Sequence, residues 1–439
     1  MTFKQAEWKL ILLLPLTVVS LLIVTFFYGP IKYTFHPSAL LLMALFYFAY
    51  FFGYLFYRLI AKKIKSRKVF SSIEIDITTN IIGVSRTLTF LTFLFISFSI
   101  YDFFLVGDVL NVGITETREL RTLDGPRESL IGFLIVLLMG APILLFVALM
   151  MIDSRVLKGV NPIFYKTQVL FSWVGLLSYF LSGGRNQFAI SMVIILLVMV
   201  TLRKIQNVTK KVNIFRTMFI LIVLCSIFLF MLFIFIDRAN YQGITMQYYV
   251  ERMENDFPIE VRGSNFFEGI VSEYYYSFIV FLFYLNHPIM MISEYFDVSF
   301  MDFTYGALTF QLPAMFCDTL FGTTFFSTAL DALILKGVYL SMPGYLYIDF
   351  GFSGVILVSL LLGFFIPYFF KKLSISRYKG ETSFNYMIFF TLLLATVVLA
   401  PIYNILSSFG FSILLTLTIV NIYILSKNYF RKIHLRKSL

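Results

Sequence analysis

Residues 181–190 read LSGGRNQFAI and break a strongly apolar stretch of chain. Two glycines, an arginine and an asparagine at this spacing have the parts of an anion site. Gly183 and Gly184 permit a tight turn and close approach to the backbone. Asn186 can cap the helix that follows, and the first amides of a helix attract an anion. Arg185 adds a planar fork that binds two phosphate oxygens at once. The competing reading is that Arg185 snorkels to a membrane interface and only anchors the turn. The residue types leave both open.

Further charged and aromatic residues gather downstream. Arg238 follows Asp237 directly, which suits an interfacial ion pair or a ligand contact. Arg252 and Arg262 stand among Glu251, Glu254, Asp256 and Glu260. So mixed a cluster usually pairs with itself in solvent, yet arginine in preference to lysine fits oxyanion recognition. Tyr248, Tyr249 and Tyr275 belong to a run of aromatics that forms either an interfacial belt or faces on which sugar rings stack. In GYLYIDFGFSG, residues 344–354, Asp349 brings a carboxylate to a membrane surface, where it is costly unless paired or used. Capping of the next helix is the plainer role for it. Glu254 and Asp256 are a weak pair for a metal. His36 and His287 each adjoin a proline and lack metal-ligand spacing. No HExxH, GxSxG or nucleotide P-loop occurs, so neither a metal nor another cofactor is expected.

The elements that must position these groups follow from composition. The 439 residues are 59% hydrophobic and only 13% charged. Soluble domains carry about 25% charged residues, so the chain reads as an all-α polytopic integral membrane protein. Cys225 and Cys317 give no disulfide or metal framework. The first apolar run lacks a cleavage pattern and reads as a retained helix. Ten spans are expected, near 10–28, 38–60, 82–106, 130–152, 167–182, 187–202, 214–236, 350–370, 384–403 and 406–425. The domain plan is then seven spans in 1–236, a large external region at 237–349, and three spans with a basic tail in 350–439.

Basic residues orient the spans. The termini and the loops on their side hold 25 Lys and Arg, against nine on the other side. Both termini are therefore expected in the cytoplasm. Residues 275–293 are apolar enough for another span, but no Lys or Arg occurs between Arg262 and Lys336. A re-entrant or interfacial segment, buried at the outer face of the external region, is the preferred reading. Twelve spans are the alternative. No internal repeat is visible, which argues against transporters built from duplicated halves.

Three features resemble the Wzy-type polymerases of O-antigen and capsule oligosaccharide repeat units. SGGRNQF is similar to that family's turn between two central spans. GYLYIDFGFSGVILVSLLLGFF is similar to its Tyr-x-Asp-Phe-Gly-x-x-Gly start of a late span. A large external loop with arginines and aromatics precedes that span, and Arg252 and Gly263 have an Arg-to-Gly spacing seen in some members. The resemblance implies a GT-C-like membrane glycosyltransferase in the bacterial inner membrane. Its substrate would be an undecaprenyl-pyrophosphate-linked glycan, in contact with membrane lipid. A chain-length regulator and a flippase are implied partners; nucleic acid is not. It further implies Arg185, Arg252, Glu254 and Glu273 as catalytic residues. Arg185, Arg238, Arg262, Tyr248, Tyr249, Tyr275 and Asp349 would bind the pyrophosphate and sugars. A flippase for lipid-linked glycan and an O-antigen ligase are the alternatives.

Overall fold

The computed structural model describes residues 8–64, 81–106, 130–152, 162–181, 185–205, 243–262, 270–296, 303–331, 340–378 and 384–437, with 229, 232, 235, 236, 239, 240 and 333. The expected span over 214–236, the loop over 107–129 and Arg238 fall outside these residues, the span apart from four scattered positions. So do Gly183, Gly184 and Gly263.

The fold is mostly helical. In chain order the helices are α1 (Leu14–Tyr28), α2 (Ser38–Ile64), α3 (Ile81–Tyr101), α4 (Leu130–Leu138), α5 (Ala141–Met151), α6 (Pro162–Leu181), α7 (Arg185–Ile205), α8 (Met246–Asp256) and α9 (Ile270–Phe296). They continue as α10 (Gln311–Phe321), α11 (Phe325–Asp331), α12 (Met342–Tyr378), α13 (Phe384–Leu399) and α14 (Phe409–Lys437). Two short strands, β1 (Ile31–Tyr33) and β2 (Ile259–Val261), pair antiparallel. Among the described residues, seven helical segments are long and apolar enough to cross a membrane, and Phe384–Leu399 and Phe409–Ile424 are shorter apolar helices. The chain is thus a polytopic membrane protein.

The spine of the bundle is α2 against α12. Gly53 faces Leu360 so closely that a Cβ would stand 2.2 Å from the Leu360 carbonyl oxygen. A Cβ on Gly363 would stand 2.0 Å from the Tyr50 carbonyl oxygen. One turn on, Tyr57 meets Phe364 edge to face at 5.6 Å. The two helices run in the same direction, because Phe296 touches both His36, just before α2, and Tyr347, near the start of α12, while Gly53 and Leu360 meet farther along both. Small residues permit such backbone approach, and in lipid that packing replaces the hydrophobic drive. Buried tyrosines tie other spans to this spine: the Tyr50 hydroxyl donates to the Ile11 carbonyl at 2.7 Å, and Tyr47 to Val397 at 2.9 Å.

Since α2 and α12 run together, the 29–37 turn and the start of α12 share one end of the bundle. The 400–408 turn is there too, because the Met342 amide donates to the Ala400 carbonyl at 2.8 Å. α12 begins at Met342 rather than near 350. Pro343 is tolerated in a first turn, where its missing N–H is not needed. The helix then continues through a kink at Gly351, whose φ is +66°.

Residues 275–293 contain no re-entrant turn; they lie inside one continuous helix, α9, that also accommodates Pro288. Ser272–Phe296 would suffice to span a membrane by length and apolarity. The contacts of α9 nevertheless follow the 25–36 region. The Tyr275 hydroxyl donates to the Arg262 carbonyl, and the Arg262 amide donates to Pro30. Farther along, Thr25 donates to Asn286 at 3.3 Å, and at the far end Phe296 stacks on His36 at 5.9 Å. Tyr275 and Phe296 are separated by about 30 Å of helix. A helix leaving along the bundle axis would keep only one of these contacts, so α9 lies across this end and packs under its connections.

Candidate functional site

The end bearing the 29–37 turn gathers most of the residues singled out by chemistry. A continuous series of contacts runs around it. Tyr179, near the end of α6, meets Phe409 at 5.7 Å. Phe409 opens α14 just after the 400–408 turn. In that turn Asn404 donates to the Thr309 carbonyl at 3.0 Å, and the Leu312 amide donates to Ser407 at 2.9 Å. The 303–310 loop is in turn bound to Asp349 on α12. Tyr347 packs on Phe296 at 4.9 Å. Phe296 reaches His36, and the β1–β2 ribbon carries the series on to Arg262.

Arg185 is the first residue of α7, so the helix N-terminus and its free amides sit at this end. The side chain of Arg185 is outside the described residues. Arg252 is exposed on α8, with its guanidinium 3.7 Å from Asp256. A pair this long and exposed contributes little. Arg262 is exposed at the end of β2. Beside it, Lys32 and Glu260 pair across the ribbon at 2.7 Å. The bond from Lys32 and its charge, with help from Arg262, hold the Glu260 carboxyl below the ordinary range.

The carboxylates are tied to backbone amides. Glu254 accepts from the Val261 amide at 2.5 Å, which fixes α8 against β2. Glu273 accepts from the Met246 amide at 3.1 Å, while Thr245 accepts from Tyr248 at 3.2 Å. The two side chains jointly satisfy the start of α8. Tyr248 is exposed, Tyr249 half-buried on the same helix, and Tyr275 leans on Tyr276 with centroids 5.5 Å apart.

Asp349 is fully buried rather than at a surface. It accepts from the Thr304 hydroxyl, from the Leu308 amide at 3.2 Å and from the Thr309 amide at 2.6 Å. Its own carbonyl accepts from the Tyr305 amide at 3.2 Å. The donors come from a loop some 40 residues earlier, not from the helix that follows.

Sequence reasoning did not single out Asn404, Thr304, Thr309 or Asp318. Asp318 on α10 accepts from Thr323 at 2.6 Å and from the amides of Phe325, Phe326 and Ser327, capping α11. Slight burial pushes its carboxyl up, but these four donors outweigh that and hold it below the ordinary range. A local signal existed only for Asp318, whose Gly322-Thr323-Thr324 neighbours have turn chemistry.

Among the described residues no three His, Cys, Asp or Glu side chains come together to hold a metal. Comparison with protein-family models, curated proteins and solved structures finds no match to this chain.

Proposed function

We propose that this chain polymerises glycan repeat units carried on undecaprenyl pyrophosphate, at the outer face of a bacterial inner membrane. The observation that carries the reading is the collection at one bundle end of the start of α7, which Arg185 opens, two exposed arginines and many aromatics. A hydroxyl of the incoming repeat unit attacks the anomeric carbon of the growing glycan and gives up its proton to a carboxylate or to water. The bond from that carbon to the diphosphate breaks, and the lipid diphosphate leaves with the electron pair. Guanidinium groups and helix amides aimed at its oxygens stabilise the developing charge. Arg185 takes one phosphate and Arg252, Arg262 or Arg238 the other.

Glu254 and Glu273 are each held through one oxygen by a backbone amide, so a base role for either falls to its other oxygen. A base of this kind contributes about 10²- to 10⁴-fold. Asp349 acts as a holder of the 303–310 loop and not as a direct ligand.

Among the described residues the buried charged or histidine side chains are Asp102, His287 and Asp349, with no Lys, Arg or Glu, and Asp349 is bound to the 303–310 loop at the bundle end. That favours chemistry at the bundle end over ion-coupled transport, which uses paired ionisable groups within the spans. Deleting the gene tests the choice. Loss of the polymerase leaves a surface product of a single repeat unit. Loss of a flippase leaves no surface product, and loss of a ligase leaves polymer stranded on its lipid.

A further inference from the structure

We infer that the 303–310 loop is a glycan platform, on which Phe303, Tyr305 and Phe310 stack the sugars nearest the lipid diphosphate. The inference rests on the polymerase reading and adds a subsite to it.

Tyr305 has φ of +48°, and among the described residues it is the one non-glycine in the left-handed region. A bulky side chain there is strained, and such strain persists only where the surroundings enforce it. The enforcement is visible. Asp349 is buried and binds the loop through the Thr304 hydroxyl and the Leu308 and Thr309 amides. Asn404 holds the Thr309 carbonyl from the other side. Gly306, with φ of +95°, fits under Phe350, where a Cβ would stand 2.9 Å from the ring. Gly351 makes room for Phe303, whose ring lies 3.3 Å from where a Cβ would be.

The side chains so presented are aromatic and open. Tyr305 is 72% exposed, Phe303 48% and Phe310 37%. Two observations select a carbohydrate as occupant. The sequence has no Lys or Arg between Arg262 and Lys336, so this stretch offers a diphosphate no cation and leaves it to arginines elsewhere. The loop also adjoins the 400–408 turn, whose neighbour Phe409 meets Tyr179 near the end of α6, four residues of sequence before Gly183. Sugars attached to a diphosphate at Arg185 would extend along that line. Aromatic faces carry a negative quadrupole and attract the polarised C–H groups of a sugar ring.

The test uses the full-length protein in nanodiscs. The probe is the lipid-free oligosaccharide released by mild acid from the cell's own lipid-linked repeat units. Saturation transfer from protein to sugar C–H protons reports stacking. Tyr305→Ala is expected to weaken binding roughly three- to tenfold, the change that fits one lost ring-face contact, whereas Tyr305→Phe retains it. Tyr305→Gly removes both ring and strain, so it is expected to melt no lower than the parent yet bind as weakly as Tyr305→Ala. Equal transfer in all four proteins overturns the platform but leaves the polymerase reading standing. Absence of transfer from the parent protein also overturns it, with the polymerase then judged on Arg185 alone. With Trp8 and Trp173 first replaced by Phe, quenching of a Tyr305→Trp fluorophore by acyl-brominated lipid would place the ring in the bilayer and overturn it as well.

Discussion

Asn404 donates its side-chain amide to the carbonyl of Thr309 at 3.0 Å, both residues being buried. This one bond joins the turn between α13 and α14 to the loop held by Asp349. Replacing Asn404 with Leu leaves a buried carbonyl without a donor. The expected cost is about 1–3 kcal/mol, read as a lower melting temperature in detergent. An unchanged melting temperature would show that water replaces the amide.

Asp349→Ala should be more damaging, because two amides and a hydroxyl lose their common acceptor. Folded yield should fall, and proteolysis should open the chain near 303–310 first. Asp349→Asn keeps one acceptor oxygen and should fall between. If Asp349→Ala folds normally but loses activity, the carboxylate touches substrate and its role as a loop holder is wrong.

The α2–α12 contact makes a sharp steric prediction. Gly53→Ala or Gly363→Ala places a Cβ about 2 Å from a carbonyl oxygen of the facing helix. The helices must separate, at a cost of about 1–3 kcal/mol or more. The readout is the loss of monodisperse protein after extraction. Gly243→Ala is not a control, since its φ is +70°.

The ribbon between β1 and β2 should respond to acid. Lys32 and Glu260 pair across it, and the Glu260 carboxyl is held below its ordinary range. A lowered carboxyl stabilises the paired state above the unfolded value of about 4.3. That contribution is lost as pH falls through the lowered value. Amide exchange over 259–262, corrected for its intrinsic pH dependence, should accelerate on acidification, and Glu260→Gln should abolish the effect. High salt should weaken it, since the pair is exposed.

The fold and the candidate site were legible to different depths. Apolar runs and basic loops mark helices α1 to α3 closely, because burial in lipid demands an unbroken apolar helix, whereas α12 begins at Met342, ahead of the expected start near 350. Residues 275–293 were ambiguous for a physical reason: a helix buried beneath loops is as apolar as one in lipid. Only its contacts with Arg262, Thr25 and His36 separate the two. Asp349 looked like a cap for its own helix, since local capping is all that sequence spacing reveals. Its partners at 304–309 carry no signal linking them to it. The same limit applies to Glu254 and Glu273, which the residue types offered as bases and which the fold binds to backbone amides.

The central claim is that the start of α7 meets a lipid-borne diphosphate, and Arg185 tests it most directly. The measurement is the surface-glycan ladder in cells expressing Arg185→Ala at parental protein level. The account predicts loss of long chains by about 100-fold, with the single-unit product retained and partial return in Arg185→Lys. A parental ladder from Arg185→Ala would contradict it.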